Sequence, residues 1–135
     1  DPSRLVFAPR LPHAEHLARH RLADLFLDTL PCNAHTGASD ALWAGLPLLT
    51  CAGSAFAGRV GGSLLHAVGL PELATRSLAE YEALALQLAS DRERLQRLRE
   101  RLAANRGSAP LFDTERFRQN LESAYRDMRQ ATLGP

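Results

Sequence analysis

The chain has 135 residues, enough for one compact core, and its 45% hydrophobic content is ordinary for a globular protein. A formal net charge of +1 supplies no broad basic field, so general attraction to nucleic acid or to an anionic membrane is not indicated. The two cysteines, Cys32 and Cys51, give neither a disulfide framework nor CxxC metal spacing, and with no export signal or transmembrane run they point to a reducing cytosol.

In chain order, Leu5-Val6-Phe7 reads as a strand, followed by Leu11-Pro12-His13-Ala14-Glu15-His16-Leu17-Ala18-Arg19 as the opening of a helix. His13, His16 and Arg19 are spaced i, i+3, i+6, which sets the two histidines on neighbouring helix faces while Arg19 drifts round. A ring over a base and a cation near a phosphate both suit that spacing. So does a solvated polar face, which His20 and Arg21 continue.

A second strand, Leu25-Phe26-Leu27-Asp28, runs into Cys32-Asn33-Ala34-His35-Thr36-Gly37-Ala38-Ser39-Asp40 and the helical run Ala41 to Leu46. Free backbone N–H groups and the dipole at a helix start favour an anion. His35 can donate to a phosphate oxygen, Thr36 adds a hydroxyl, and Gly37 lets the backbone approach closely. Asp40 would repel phosphate and is better suited to accepting hydrogen bonds from sugar hydroxyls, which makes the expected ligand a nucleotide. The alternative is a plain N-cap, with Asn33, Thr36 or Ser39 satisfying the orphan N–H groups and His35 on the surface. If both strands belong to one parallel sheet, both strand-to-helix junctions lie at its carboxyl edge, where open α/β sheets bind ligands.

Leu46 to Cys51 reads as a buried parallel strand, and Ala55 to Gly69 as a helix whose Gly58, Gly61 and Gly62 call for close packing. The glycine-rich stretch lacks the Gly-Lys-Ser/Thr ending of a phosphate loop. Ser77 and Glu80 have capping-box spacing for a helix through Ser90, and Asp91 can cap the next. That arginine-rich helix resembles an RNA-binding stretch in charge, but Leu95, Leu98 and Leu102 make it amphipathic and it has no stacking aromatics. Gly107 to Pro110 ends it, Leu111-Phe112 anchors the chain, and Asp113 caps a last helix through about Arg129 with Phe117, Leu121, Tyr125 and Met128 as an apolar stripe. A zinc site would need His13, His16, Cys32 and His35 to converge from separate strand ends, so no metal is expected.

The ordered set Phe7-Ala8-Pro9, Glu15-His16, Leu22-Ala23-Asp24, Leu27-Asp28-Thr29, Cys32-Asn33, His35-Thr36, Asp40, Leu42-Trp43-Ala44-Gly45 and Pro47 resembles the O-GlcNAc transferases and their bacterial relatives. Arg59-Val60, Leu70, Glu80-Tyr81-Glu82 and Pro110-Leu111-Phe112 follow in the same order. The resemblance implies an α/β fold, a Rossmann-like parallel sheet with flanking helices and a helical C-terminal tail, forming part of the C-terminal lobe of a GT-B glycosyltransferase. Residues 1–76 would be the nucleotide-binding part and 77–135 the helical part of a single domain. It implies a cytoplasmic enzyme that moves N-acetylglucosamine from a UDP-sugar to serine or threonine of proteins, with no cofactor or metal. His16 then matches a histidine against uracil, Asp40 the carboxylate on the ribose hydroxyls, and His35 with Thr36 the pair at the diphosphate. Leu11, Pro12 and Arg19 complete the implied UDP site. Two positions depart: His13 replaces a usual lysine near the ribose, and Gly37 replaces a second threonine of animal relatives.

The abrupt start at Asp1-Pro2-Ser3 and the absence of lysine, all 16 basic residues being arginine, fit a fragment. On this reading an amino-terminal lobe, tetratricopeptide repeats and a diphosphate-binding lysine belong to a longer parent, and the piece alone is inactive. Three rival readings share the lobe: asparagine glucosylation with UDP-glucose, UDP-sugar epimerisation, and a non-catalytic nucleotide-binding or assembly module.

Overall fold

A computed structural model describes residues 1–133 of the chain. Three short parallel strands form the sheet in the order β1-β2-β3, namely β1 (Phe26–Leu27), β2 (Leu48–Cys51) and β3 (Ala74–Thr75). Phe26 pairs with Leu48 and Leu27 with Leu49 on one side of β2, and Thr50 pairs with Ala74 and Cys51 with Thr75 on the other. All four β2 residues are buried, which accounts for an apolar run without alternation.

The helices are α1 (His13–Arg19), α2 (Thr36–Trp43), α3 (Val60–Ala67), α4 (Leu78–Ser90), α5 (Arg92–Asn105) and α6 (Thr114–Leu133). Leu42 of α2, Leu48 of β2, Leu65 of α3, Leu88 of α4 and Leu98 with Leu102 of α5 meet in one apolar core. The three leucines of α5 are all buried while most of its arginines face out, as the i, i+3, i+7 pattern requires. Ser77 Oγ accepts from Glu80 N–H, Asp91 Oδ1 from Arg94 N–H and Asp113 Oδ1 from Arg116 N–H, so all three expected caps form.

The chain leaves α2 through Gly45 at φ 88°, with Leu46 N–H bonded to Ala41 O and Gly45 N–H to Leu42 O. This Schellman ending needs a residue in the left-handed region, which glycine adopts without strain, and it delivers Pro47 directly into β2.

Two expectations are corrected, and one strand was not anticipated. Leu5-Val6-Phe7 is not a strand: no neighbouring strand pairs with it among the described residues, and its side chains are exposed, Phe7 at 91%. The expected helix from Ala55 to Gly69 divides into a 3-10 turn, Phe56–Gly58, and α3, because Gly58 is pressed against Pro31 O and the backbone of Gly53. The strand β3 has no sequence signal, since its two residues form no apolar run and exist as a strand only through pairing with β2. The stripe of α6 stands exposed, with Phe117, Tyr125 and Met128 each at least 60% accessible. None of the helices is long and apolar enough to cross a membrane.

Candidate functional site

Asp28, directly after β1, starts the loop that ends at α2, and residues 52–59 leave β2 beside it. Both loops therefore lie at the carboxyl edge of the sheet. Asn33 N–H bonds Ala57 O at 2.9 Å, and the His35 and Phe56 rings meet edge to face at 6.3 Å, which ties the two loops together.

His35 occupies the N-cap position of α2 but makes no side-chain capping bond. Neither does Asn33 cap the helix. It is buried and spans the loop instead, its amide nitrogen donating to Thr29 O and its oxygen accepting from Gly61 N–H. Ser39 Oγ turns back to His35 O. The N-cap alternative is thus not realised: no side chain caps the first-turn N–H groups, which a helix cannot satisfy internally, and those of Thr36 and Gly37 lie on residues that are not buried. His35 and Thr36 are exposed, and a Cβ built on Gly37 would meet nothing within 4 Å, so backbone approach there is open.

Leu11, His13, His16 and Arg19 line a surface concavity of about 440 Å³ with Ala8, Pro9 and Arg10. Pro12 opens α1 with an extended backbone, and its carbonyl accepts the His16 N–H. His13 Nε2 lies 4.0 Å from Asp40 Oδ2, joining this concavity to the middle of α2. Asp40 is half-buried, with His13 facing it from α1. Arg19 is partly committed, one guanidinium nitrogen donating to Pro9 O at 2.7 Å. His35 stands apart from this concavity and faces Phe56. A larger hollow of about 540 Å³ along β1, α4 and α5 includes none of the candidate residues. Among the described residues no three His, Cys, Asp or Glu side chains gather as a metal-binding group.

Burial of its ring is the main cause holding the His16 imidazole below its ordinary value of 6.5; Arg19 and His20 add to this, and Asp40 opposes it. The ring is therefore neutral at pH 7, the state suited to lying against a base. Because the folded value is depressed, the associated stability is present above about pH 6.5 and is lost as pH falls through the lowered value. An NMR titration of the His16 Cε1–H should give a midpoint below 6.5, and a midpoint above it would contradict the packing of this ring.

The model of glycosyl transferase family 41 matches residues 1–121. The chain belongs to that family. Similar proteins include the probable UDP-N-acetylglucosamine–peptide N-acetylglucosaminyltransferase SEC of Arabidopsis thaliana, 44% identical over 93% of this chain and 13% of the plant protein. The Caenorhabditis elegans UDP-N-acetylglucosamine–peptide N-acetylglucosaminyltransferase is 39% identical over 90% of this chain and 11% of its own length. A solved structure of the Thermobaculum terrenum O-GlcNAc transferase mutant K341M superposes with a TM-score of 0.83 at 42% identity, over 87% of this chain and 23% of that one. This family 41 chain thus spans only a small part of the length of those relatives.

Two residues of this family 41 chain that matter to the site are not evident from sequence. Asp28 reads there as the end of a strand and proves to be the buried acceptor under the loop, while Phe56 gives no signal beyond an isolated aromatic in a glycine-rich stretch. Asp28 carries a usable hint: a carboxylate closing an apolar strand needs buried donors to sit there.

Proposed function

We propose that this chain is the UDP-holding, carboxyl-terminal lobe of a protein O-GlcNAc transferase that moves N-acetylglucosamine to serine or threonine. The observation that carries the proposal is the uncapped start of α2, where His35, Thr36 and Gly37 offer donors to an anion while Asp40 waits one turn along. His16, neutral and half-buried on α1, supplies a face for the uracil ring. The diphosphate would lie against the α2 N-terminus, and its developing charge as the sugar departs would be met by His35, Thr36 and the free N–H groups. The names of the similar proteins support this choice of donor and acceptor. The amino-terminal lobe, tetratricopeptide repeats, a diphosphate lysine and a cytoplasmic setting belong to the same proposal, as does a bacterial parent.

A residue-resolved NMR titration of the chain with UDP, and with ADP as control, tests the site. Shifts confined to residues 11–19 and 35–40, with UDP preferred, are expected. No shifts in a folded sample would show that these residues form no nucleotide site. Asp40→Asn should weaken UDP binding about tenfold or more, since a charged acceptor of two hydroxyls becomes a neutral one. Unchanged affinity would remove Asp40 from the ribose.

A further inference from the structure

The loop between β1 and α2 has no regular structure of its own, yet it sets where His35, Thr36 and the free N–H groups stand. A buried carboxylate holds it from beneath, beside the Asn33 bonds to Ala57 and Gly61. Asp28 is 5% exposed. Its Oδ1 accepts from Thr29 N–H at 2.8 Å and from Ala34 N–H at 2.7 Å, so a single oxygen gathers both ends of residues 29–34. Its Oδ2 accepts from Thr50 Oγ1 at 2.6 Å, anchoring the loop to the central strand. The Asp28 carbonyl in turn accepts from Tyr81 Oη of α4 at 3.0 Å. Ala34 immediately precedes the N-cap residue His35, so the Ala34 N–H bond is the last restraint before the helix whose donors face the ligand.

We infer that Asp28 is the positioning residue of the anion-binding turn: its carboxylate holds Ala34, and through it the α2 N-terminus, in register with β2. The inference rests on the UDP-lobe reading for its ligand but not for its geometry. An ionised carboxylate only accepts, and here it meets three donors, two of them N–H groups at the two ends of the loop. Asparagine in its place keeps an oxygen for Thr29 and Ala34, and its NH2 can donate to Thr50 Oγ1 once that hydroxyl turns. Alanine keeps none of these bonds and leaves the Ala34 N–H without its acceptor.

The test compares wild type, Asp28→Ala, Asp28→Asn and Thr50→Val by amide hydrogen exchange, amide chemical shifts and UDP titration of the whole chain. In Asp28→Ala, Ala34 N–H protection should fall at least tenfold, the Thr36, Gly37 and Ala38 resonances should move, and UDP affinity should drop at least tenfold, while core amides such as Leu102 keep their protection. Asp28→Asn should recover most of each effect, and Thr50→Val should fall between, giving a foldable variant if alanine is not tolerated. Unmoved Thr36–Ala38 resonances, or protection lost equally across the fold, would overturn the positioning role. If wild type shows no UDP shifts, the ligand reading fails while the exchange and resonance results still decide the role of Asp28.

Discussion

Replacing His35 with alanine should lower kcat of a full-length transferase carrying this lobe by about 100- to 1,000-fold, the usual effect of removing one preorganised donor from a developing negative charge. The cause is geometric. His35 is exposed at the N-cap of α2, spends no side-chain bond on capping, and has Phe56 edge-on to its ring, so a ring N–H is left to donate. In the ground state the diphosphate already carries its charge, and the other contacts bind it. As the bond to the sugar breaks, additional charge accumulates on the distal phosphate, and a donor aimed there acts chiefly on that step. UDP affinity should therefore change much less than kcat. Turnover within a few-fold of wild type would place the leaving-group stabilisation elsewhere. Equal losses in UDP affinity and in kcat/KM, with kcat preserved, would make His35 a binding residue only.

Gly61→Ala should cost about 3 kcal/mol of stability, at the upper end of what overpacking a core position does. A Cβ on Gly61 would lie 2.5 Å from Asp28 Oδ2 and 2.8 Å from Thr50 Oγ1. Neither atom is the free end of a mobile side chain, because the two are hydrogen-bonded to each other in the interior. The methyl can be accommodated only if α3 moves off β2 or the Asp28–Thr50 bond breaks. The next residue is the internal control. On Gly62 the same methyl would touch only Ala74 Cβ at 3.7 Å, an ordinary contact, so Gly62→Ala should be neutral or stabilising through helix propensity. Urea unfolding of the two variants checks both, and equal stability of the pair would show that the Asp28–Thr50 junction yields more easily than its geometry requires.

Much of the fold was legible where the information is local. Ser77, Asp91 and Asp113 announced three helices by capping chemistry, and Leu95, Leu98 and Leu102 gave the buried face of α5 by spacing alone. Strand content was less so, because a strand is defined by its neighbour. Leu5-Val6-Phe7 has the residue types of a strand and no ladder to join, whereas Ala74–Thr75 has little strand character and pairs with β2. The α1 and α2 segments were located as candidate site elements, and His13, His16, Arg19 and Leu11 do share one concavity. What a single sequence could not reveal was the support beneath them. Asp28 finds Thr50 across 22 positions and Asn33 finds Gly61 across 28, and no spacing rule covers such distances. Asn33 illustrates the difficulty: its type and place suit a helix cap, and tertiary contacts assign it to the loop.

The concavity on α1 is walled on one side by residues 8–11, which belong to no helix or strand, and the side-chain tie across that wall is the Arg19 guanidinium on Pro9 O. Fixing backbone costs on the order of 1–2 kcal/mol of conformational entropy per residue, and a segment outside helices and strands has few ladder bonds to offset it. Arg19, by pinning the wall in advance, lowers that entropic cost without needing to touch the nucleotide at all.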